Sequence, residues 1–252
     1  MNRVSVMLAL TLLPLSQTAQ ARPLSEVLKS GKIVIATDPP YKPFFYEEGG
    51  KLTGFEVELG EELARRLGVK VEWKYNKFDT LLIGLSQNRY DMVIASHGIT
   101  PERLRAVDFS APDYCSGGTI LTTTNGPATA AALKGKAIGV AVGTTYSKIA
   151  SGVQGAQVKT FPSTTAALQA LTARKVDAIL VDQFFAYEMK DSAHGKTLKV
   201  GQRLTTERVG FAIQKGNASL TRAVNTQMKK MTEDGTYLKL SQKYFGRDVR
   251  CK

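Results

Sequence analysis

Histidine, cysteine and tryptophan are scarce in this chain: two, two and one among 252 residues. His97 and His194 are too few and too far apart in sequence to suggest a metal site. The signatures of common catalytic centres are missing as well. There is no G-x-S-x-G elbow, no P-loop and no H-E-x-x-H. Beyond the N-terminus no run is long and apolar enough to be a transmembrane helix. Negative charge is in deficit, 22 acidic side chains against 34 basic ones. The resulting charge of +12 is not organised, because lysines and arginines stand singly or in pairs without an aromatic stripe. That pattern does not indicate a nucleic-acid face. Weak attraction to an anionic membrane surface is the more sensible consequence.

The N-terminus does carry a leader. Arg3 supplies a positive start, residues 4–15 form an apolar run of twelve, and Ala19-Gln20-Ala21 is a small-residue cleavage site. The run is too short to span a bilayer. No cysteine follows it to carry a lipid anchor. A soluble mature chain beginning at Arg22 and exported to the periplasm is expected, and export also removes nucleic acid as a natural partner. In that oxidising compartment Cys115 and Cys251, the only cysteines, are expected to pair, two free thiols being the alternative.

The length allows one large domain or two lobes of about 100 residues each. A hydrophobic content of 43% is ordinary for a globular core. Residues 32–36 read as a strand that runs into Thr37-Asp38-Pro39-Pro40-Tyr41-Lys42-Pro43-Phe44, where three prolines exclude regular structure. Phe55, Leu59, Leu63 and Leu67 recur every fourth residue before Gly68, the pattern of an amphipathic helix with a glycine stop. Residues 69–75 read as a strand, 78–88 as a helix and 91–95 as a buried strand. A second unit repeats this plan: strand 137–142, a helix after Gly143-Thr144-Thr145, strand 158–161, helix 163–173 and strand 178–181. The β-α-β-α-β order of each unit implies α/β architecture with parallel sheets. The two units echo each other at an offset of 86 residues, which pairs Ser96 with Asp182 just past equivalent strands. Residues 209–213 read as a further strand, followed by two closing helices.

The stretch from Ser96 to Ser110 carries the most information. It begins where a strand ends, the edge at which open α/β sheets gather ligand groups. Ser96 offers a hydroxyl, Gly98 an unobstructed backbone N–H, Thr100 a helix cap, and Arg103 a planar fork for a carboxylate. A solvated helix start with a surface arginine is the plain alternative. The order A-[ST]-x-G-I-T-x-x-R-x-x-x-V-D-F-S resembles the second signature region of the periplasmic amino-acid-binding proteins of ABC importers. These are the family 3 solute-binding proteins, among them the lysine/arginine/ornithine, histidine and glutamine receptors. The resemblance extends from about residue 32 to residue 245.

That resemblance implies a two-lobe type II periplasmic binding protein fold in which the chain crosses between lobes twice, near 117–119 and 208–210. Residues 22–117 with 209–252 would form the first lobe and 118–208 the second. A free amino acid is a zwitterion, which needs a cationic fork, an anion and several hydrogen-bond donors, since buried charges without partners are costly. By resemblance, Arg103, Gly98, Thr144 and Thr145 fall at carboxylate-contacting positions, and Ser96 and Asp182 at amine-contacting ones. Asp38, Tyr41 and Phe78 fall where the family handles the side chain. Each has a plain reading too: Asp182 as a helix cap, the threonines as an ordinary helix start, the aromatics as core. Two departures stand out. Gly98 replaces a common Ser or Thr, and His97 replaces an aliphatic residue.

The expected function is a monomeric receptor without cofactor or metal that passes its amino acid to an inner-membrane ABC permease. An aromatic pair with a carboxylate suits a cationic end group, so the ligand is expected to be basic: arginine first, then lysine, ornithine or histidine. Glutamine or another polar neutral amino acid is the runner-up. The glutamine receptors pair their Asp with a Lys in the second lobe, where this chain has Ala141. Cyclohexadienyl dehydratase resembles these receptors on the same fold, so an enzyme is the further alternative.

Overall fold

The computed structural model describes residues 21–38, 40–193 and 195–251. The leader expected over residues 1–21 therefore lies outside the described residues, Ala21 apart, as does His194.

Local sequence explains most elements. Helix α1 (Leu24–Ser30) ends at Gly31 in the left-handed region. Strand β1 (Lys32–Thr37) follows, then the hairpin β2 (Tyr46–Glu48) and β3 (Lys51–Thr53) around Gly49-Gly50. Helix α2 (Phe55–Leu67) buries Phe55, Leu59 and Leu63 completely and stops at Gly68. Burying each such side chain contributes about 1.5–3 kcal/mol. Next come β4 (Lys70–Tyr75), α3 (Phe78–Ser86) and the short β5 (Met92–Val93). Thr100 caps α4 (Pro101–Ala106) by accepting the Arg103 N–H at 3.2 Å, with Pro101 at the first helical position. Strands β6 (Val107–Phe109) and β7 (Tyr114–Ser116) complete this half.

The second half opens with β8 (Gly118–Thr123) and β9 (Ala137–Ala141). It continues through α5 (Tyr146–Ser151), β10 (Gln157–Phe161), α6 (Thr164–Thr172) and β11 (Ala178–Asp182). Helix α7 (Gln183–Asp191) and β12 (Leu198–Arg203) close it. The chain then returns through β13 (Glu207–Val209) to β14 (Ala212–Gln214), α8 (Ala218–Glu233) and α9 (Thr236–Phe245).

These strands build two five-stranded sheets, one per lobe, ordered β4-β1-β5-β14-β6 and β10-β9-β11-β8-β12. The β-α-β-α-β units supply the parallel strands, and β14 and β8 run antiparallel to their neighbours. The sheets are thus mixed, where the sequence pattern implies parallel ones. The single strand expected over 209–213 is in fact two. Val209 ends β13, which pairs with β7 in a separate ribbon, and Ala212 begins β14 in the first sheet, with Gly210 between them. The expected strand at 91–95 is shorter, only Met92 and Val93 being paired.

Each lobe has its own core. The first is one cluster that includes Ile33, Ile35, Leu59 and Phe211. The second lobe is filled on both faces of its sheet, and β11 shows how: Ile179 and Val181 enter one cluster, Ala178 and Leu180 the other. The β7–β13 ribbon joins the lobes. Here a Cβ on Gly117 would lie 1.9 Å from the Thr205 carbonyl oxygen, so only glycine lets the two crossing strands touch. Cys115 on β7 and Cys251 form a disulfide, and the Cys115 N–H donates to the Val249 carbonyl at 2.9 Å.

Candidate functional site

The C-terminal edges of the central strands face one another across a cavity between the lobes. From the first lobe, the chain leaving β1 carries Asp38 and Tyr41. Asp38 accepts the Phe78 N–H at 2.9 Å, tying the proline-rich loop to the start of α3. Burial raises the Asp38 pKa above its usual value. Tyr41 stacks on Phe185 of the second lobe with centroids 4.8 Å apart. Ser96 follows β5, and its partner in the internal echo, Asp182, ends β11. Both lie at the same edge of equivalent strands and both line the cavity.

Arg103 reaches from α4 toward both lobes. It donates to the Gly98 carbonyl at 2.7 Å and to the Gly143 carbonyl, in the second lobe, at 2.9 Å. Its guanidinium lies 5.7 Å from the Phe78 ring centroid. Burial lowers the Arg103 pKa and the Glu207 charge opposes that shift. Among the described residues no carboxylate lies within ion-pair distance of Arg103.

In the second lobe Thr144 donates its hydroxyl to the Ala141 carbonyl at 2.7 Å. The Thr145 hydroxyl donates to Glu207. Asp182 fulfils its plain reading and also lines the cavity: it caps α7 by accepting the Phe184 N–H at 2.7 Å. Burial pushes its carboxyl up to about 7, with Ser116 and the α7 N–H groups pulling the other way.

All nine residues singled out in the sequence line this one cavity: Asp38, Tyr41, Phe78, Ser96, Gly98, Arg103, Thr144, Thr145 and Asp182. His97 does not. It is 2% exposed, stacked behind Phe78 at 4.2 Å, and burial holds its imidazole well below the usual pKa. Sequence reasoning missed Glu207, Tyr146 and the Pro162-Ser163-Thr164 turn at the start of α6, which also line the cavity. Glu207 sits on β13 in a stretch with no motif. Its only cue is its place beside the expected lobe crossing. The cavity is therefore edged by three carboxylates, Asp38, Asp182 and Glu207, and by one guanidinium. Chemically it can hold a polar ligand that has a carboxylate for the guanidinium and more than one positively charged group for the carboxylates.

Comparison with known proteins agrees with this architecture. The model of the bacterial extracellular solute-binding proteins, family 3, matches residues 33–247. The L-cystine-binding protein TcyJ of Escherichia coli (strain K12) is 37% identical over 231 residues, 90% of this chain and 87% of that protein. The L-cystine-binding protein TcyA of Bacillus subtilis (strain 168) is 31% identical over 230 residues, 89% of this chain and 85% of that protein. Among solved structures, the ancestral amino acid-binding protein AncCDT-1, a precursor of cyclohexadienyl dehydratase, has a TM-score of 0.83 at 35% identity, covering 88% of this chain and 99% of that one. The curated relatives are binding proteins rather than enzymes. With two mixed α/β lobes, a cleft at their strand ends and a family match over nearly the whole described chain, this protein belongs to the bacterial extracellular solute-binding proteins of family 3.

Proposed function

We propose that this chain is a periplasmic receptor that captures L-cystine between its lobes and delivers it to an ABC permease. The carrying observation is that the cavity offers a separate carboxylate to each of two ammonium groups, Asp182 beside the Arg103 headgroup site and Asp38 in the proline-rich loop. L-cystine is two amino acids joined tail to tail, with two ammonium and two carboxylate groups. One headgroup places its carboxylate on Arg103, Gly98, Thr144 and Thr145, and its ammonium against Asp182 and Ser96. The other ammonium lies toward Asp38, between Tyr41 and Phe78, and its carboxylate toward the Ser163-Thr164 turn. The names of the two relatives above support the same ligand. The dividing lines read from the sequence, 22–117 with 209–252 and 118–208, fit a molecule that closes about the β7–β13 ribbon.

A basic amino acid, arginine first, is the second reading. Asp38 and the Tyr41–Phe78 pair favour it, since an aromatic face adds about 0.5–2 kcal/mol of attraction to a cation. Each ring already has a face covered, Tyr41 by Phe185 and Phe78 by His97, which leaves less surface for a guanidinium sandwich. Glutamine fits less well because Ala141 lines the cavity where a balancing lysine would be needed.

A thermal-shift panel of the common amino acids with ornithine, citrulline and cystine tests this. A ligand at about 100 times its dissociation constant stabilises the folded chain by about 2.7 kcal/mol. L-cystine is expected to give the largest shift at equal concentration. A larger shift from arginine moves the ligand to the basic class, and a larger one from glutamine overturns both readings.

A further inference from the structure

Behind the cleft wall lies a second acidic group. Glu56 on α2 is fully buried, and its carboxylate accepts both the N–H of Ser96, at 3.1 Å, and the Ser96 hydroxyl. Ser96 has φ of 54°, in the left-handed region that a serine adopts only with local support. The two bonds from Ser96 to Glu56 supply that support. They fix how Ala95, Ser96 and Gly98, which line the cavity, present themselves to it.

Among the described residues no cation lies within ion-pair distance of Glu56. The titratable groups that face it are Asp113 before β7, Tyr114 on β7, Asp182 on β11, Tyr237 on α9 and Tyr41. Asp113 is 1% exposed and its carboxyl faces that of Glu56. Among the described residues neither Asp113 carboxylate oxygen has a well-formed donor; only its own N–H and that of Tyr114 approach it. Two ionised carboxylates are both acceptors and can meet only across a proton. Two buried anions side by side without a cation would be costly.

We propose that Glu56 and Asp113 share one proton as a buried carboxyl–carboxylate pair, and that this pair holds the Ser96 turn in its binding shape. Burial raises both groups above the ordinary carboxyl range, Asp113 well above it; the Glu56 charge adds to the rise of Asp113, while the bonds from Ser96 pull Glu56 the other way. They titrate as a unit, not as separate residues. A folded pKa above the unfolded one means that the pair's contribution to stability is present in acid. That contribution is lost as pH rises from the ordinary carboxyl range through the folded values. Ser96's role toward a ligand rests on the receptor reading above; the shared proton does not.

The test follows thermal unfolding of the mature chain, Glu56→Gln and Asp113→Asn from about pH 5 to about pH 9. Comparing each variant with wild type cancels the titration of groups such as His97. Glutamine keeps an acceptor for Ser96 but cannot ionise. Wild type is therefore expected to lose stability relative to Glu56→Gln as pH rises and to become the less stable of the two in alkali. Parallel profiles at all pH values would overturn the proposal. Should the variants fail to fold, 13C NMR of the wild-type side-chain carboxyls decides. One glutamate titrating near neutrality is expected, and ionisation of every glutamate in the ordinary range would overturn the pair. Calorimetry with L-cystine and L-arginine at both ends of the pH range adds the link to binding. Wild-type affinity is expected to weaken several-fold in alkali relative to that of Glu56→Gln, a comparison that cancels the titration of Asp182 and of the ligand's own amino groups. If neither amino acid binds, the receptor reading fails, while the unfolding profiles and NMR still decide the shared proton.

Discussion

Glu207 is the cleft carboxylate that no motif announces. It reaches the cavity from β13, accepts the Thr145 hydroxyl, and would lie 3.4 Å from a Cβ placed on Gly98. A Cβ at Gly98 would meet Glu207 and Arg103 at ordinary contact distance, so a Ser or Thr hydroxyl there would stand beside both charges. If Glu207 balances a second positive charge, Glu207→Gln should weaken L-cystine about tenfold, in line with the ~1.5–3 kcal/mol of a hydrogen bond to a charged group. Calorimetry with L-cystine and glutamine checks this; equal losses for both would assign Glu207 to the common headgroup instead. The nine cavity-lining residues were legible through the family resemblance, and Ser96 and Arg103 also through their place in one dense motif after a strand end. Glu207 and Glu56 were not. A lone glutamate in a short strand, or between the buried Phe55 and Val57 of an amphipathic helix, leaves no periodic trace.

At the scale of elements, the helices and parallel strands with clean periodicity were readable, and their ends fell within a few residues of the structure. Strands β2, β3, β6, β7, β8 and β12 were not read. Five of the six residues of β8, Gly118–Thr123, are buried, so it lacks the alternation that marks a half-exposed strand. The merged reading of 209–213 failed because an apolar run carries no mark of where the chain changes sheet. Two elements invite direct tests. Gly143 follows β9 with φ of 77°, and its Cβ position lies 3.1 Å from Asp79 of α3 across the cleft. Gly143→Val should therefore hinder closure and cost about tenfold in affinity, roughly 1.4 kcal/mol; unchanged affinity by calorimetry would mean the lobes need not meet there. The Cys115–Cys251 disulfide ties the C-terminal tail to β7 across a sequence separation of 136. Cys251→Ser should lower stability by about 2–4 kcal/mol, the typical range, below the ~5 kcal/mol that the chain-entropy account gives for so long a loop. Chemical denaturation measures it, and a loss too small to resolve would remove the tail from the stability of the hinge.

At the scale of the whole molecule, side chains of the two lobes meet across the cleft. Arg103 bonds Gly98 in one and Gly143 in the other, while Lys148 and Glu102 form an exposed ion pair across the same gap at 2.6 Å. The exposed pair adds little, so under the proposed function the half-buried arginine is the contact on which closure and recognition would depend together. The most direct test is calorimetric titration of L-cystine, with L-arginine alongside, into wild type and Arg103→Ala. Wild type should bind one amino acid per chain. Arg103→Ala should lose at least tenfold in affinity, consistent with the ~2–5 kcal/mol cost of removing one partner of a desolvated charge pair, while unfolding at a similar temperature. Binding by Arg103→Ala at near wild-type affinity would contradict the account.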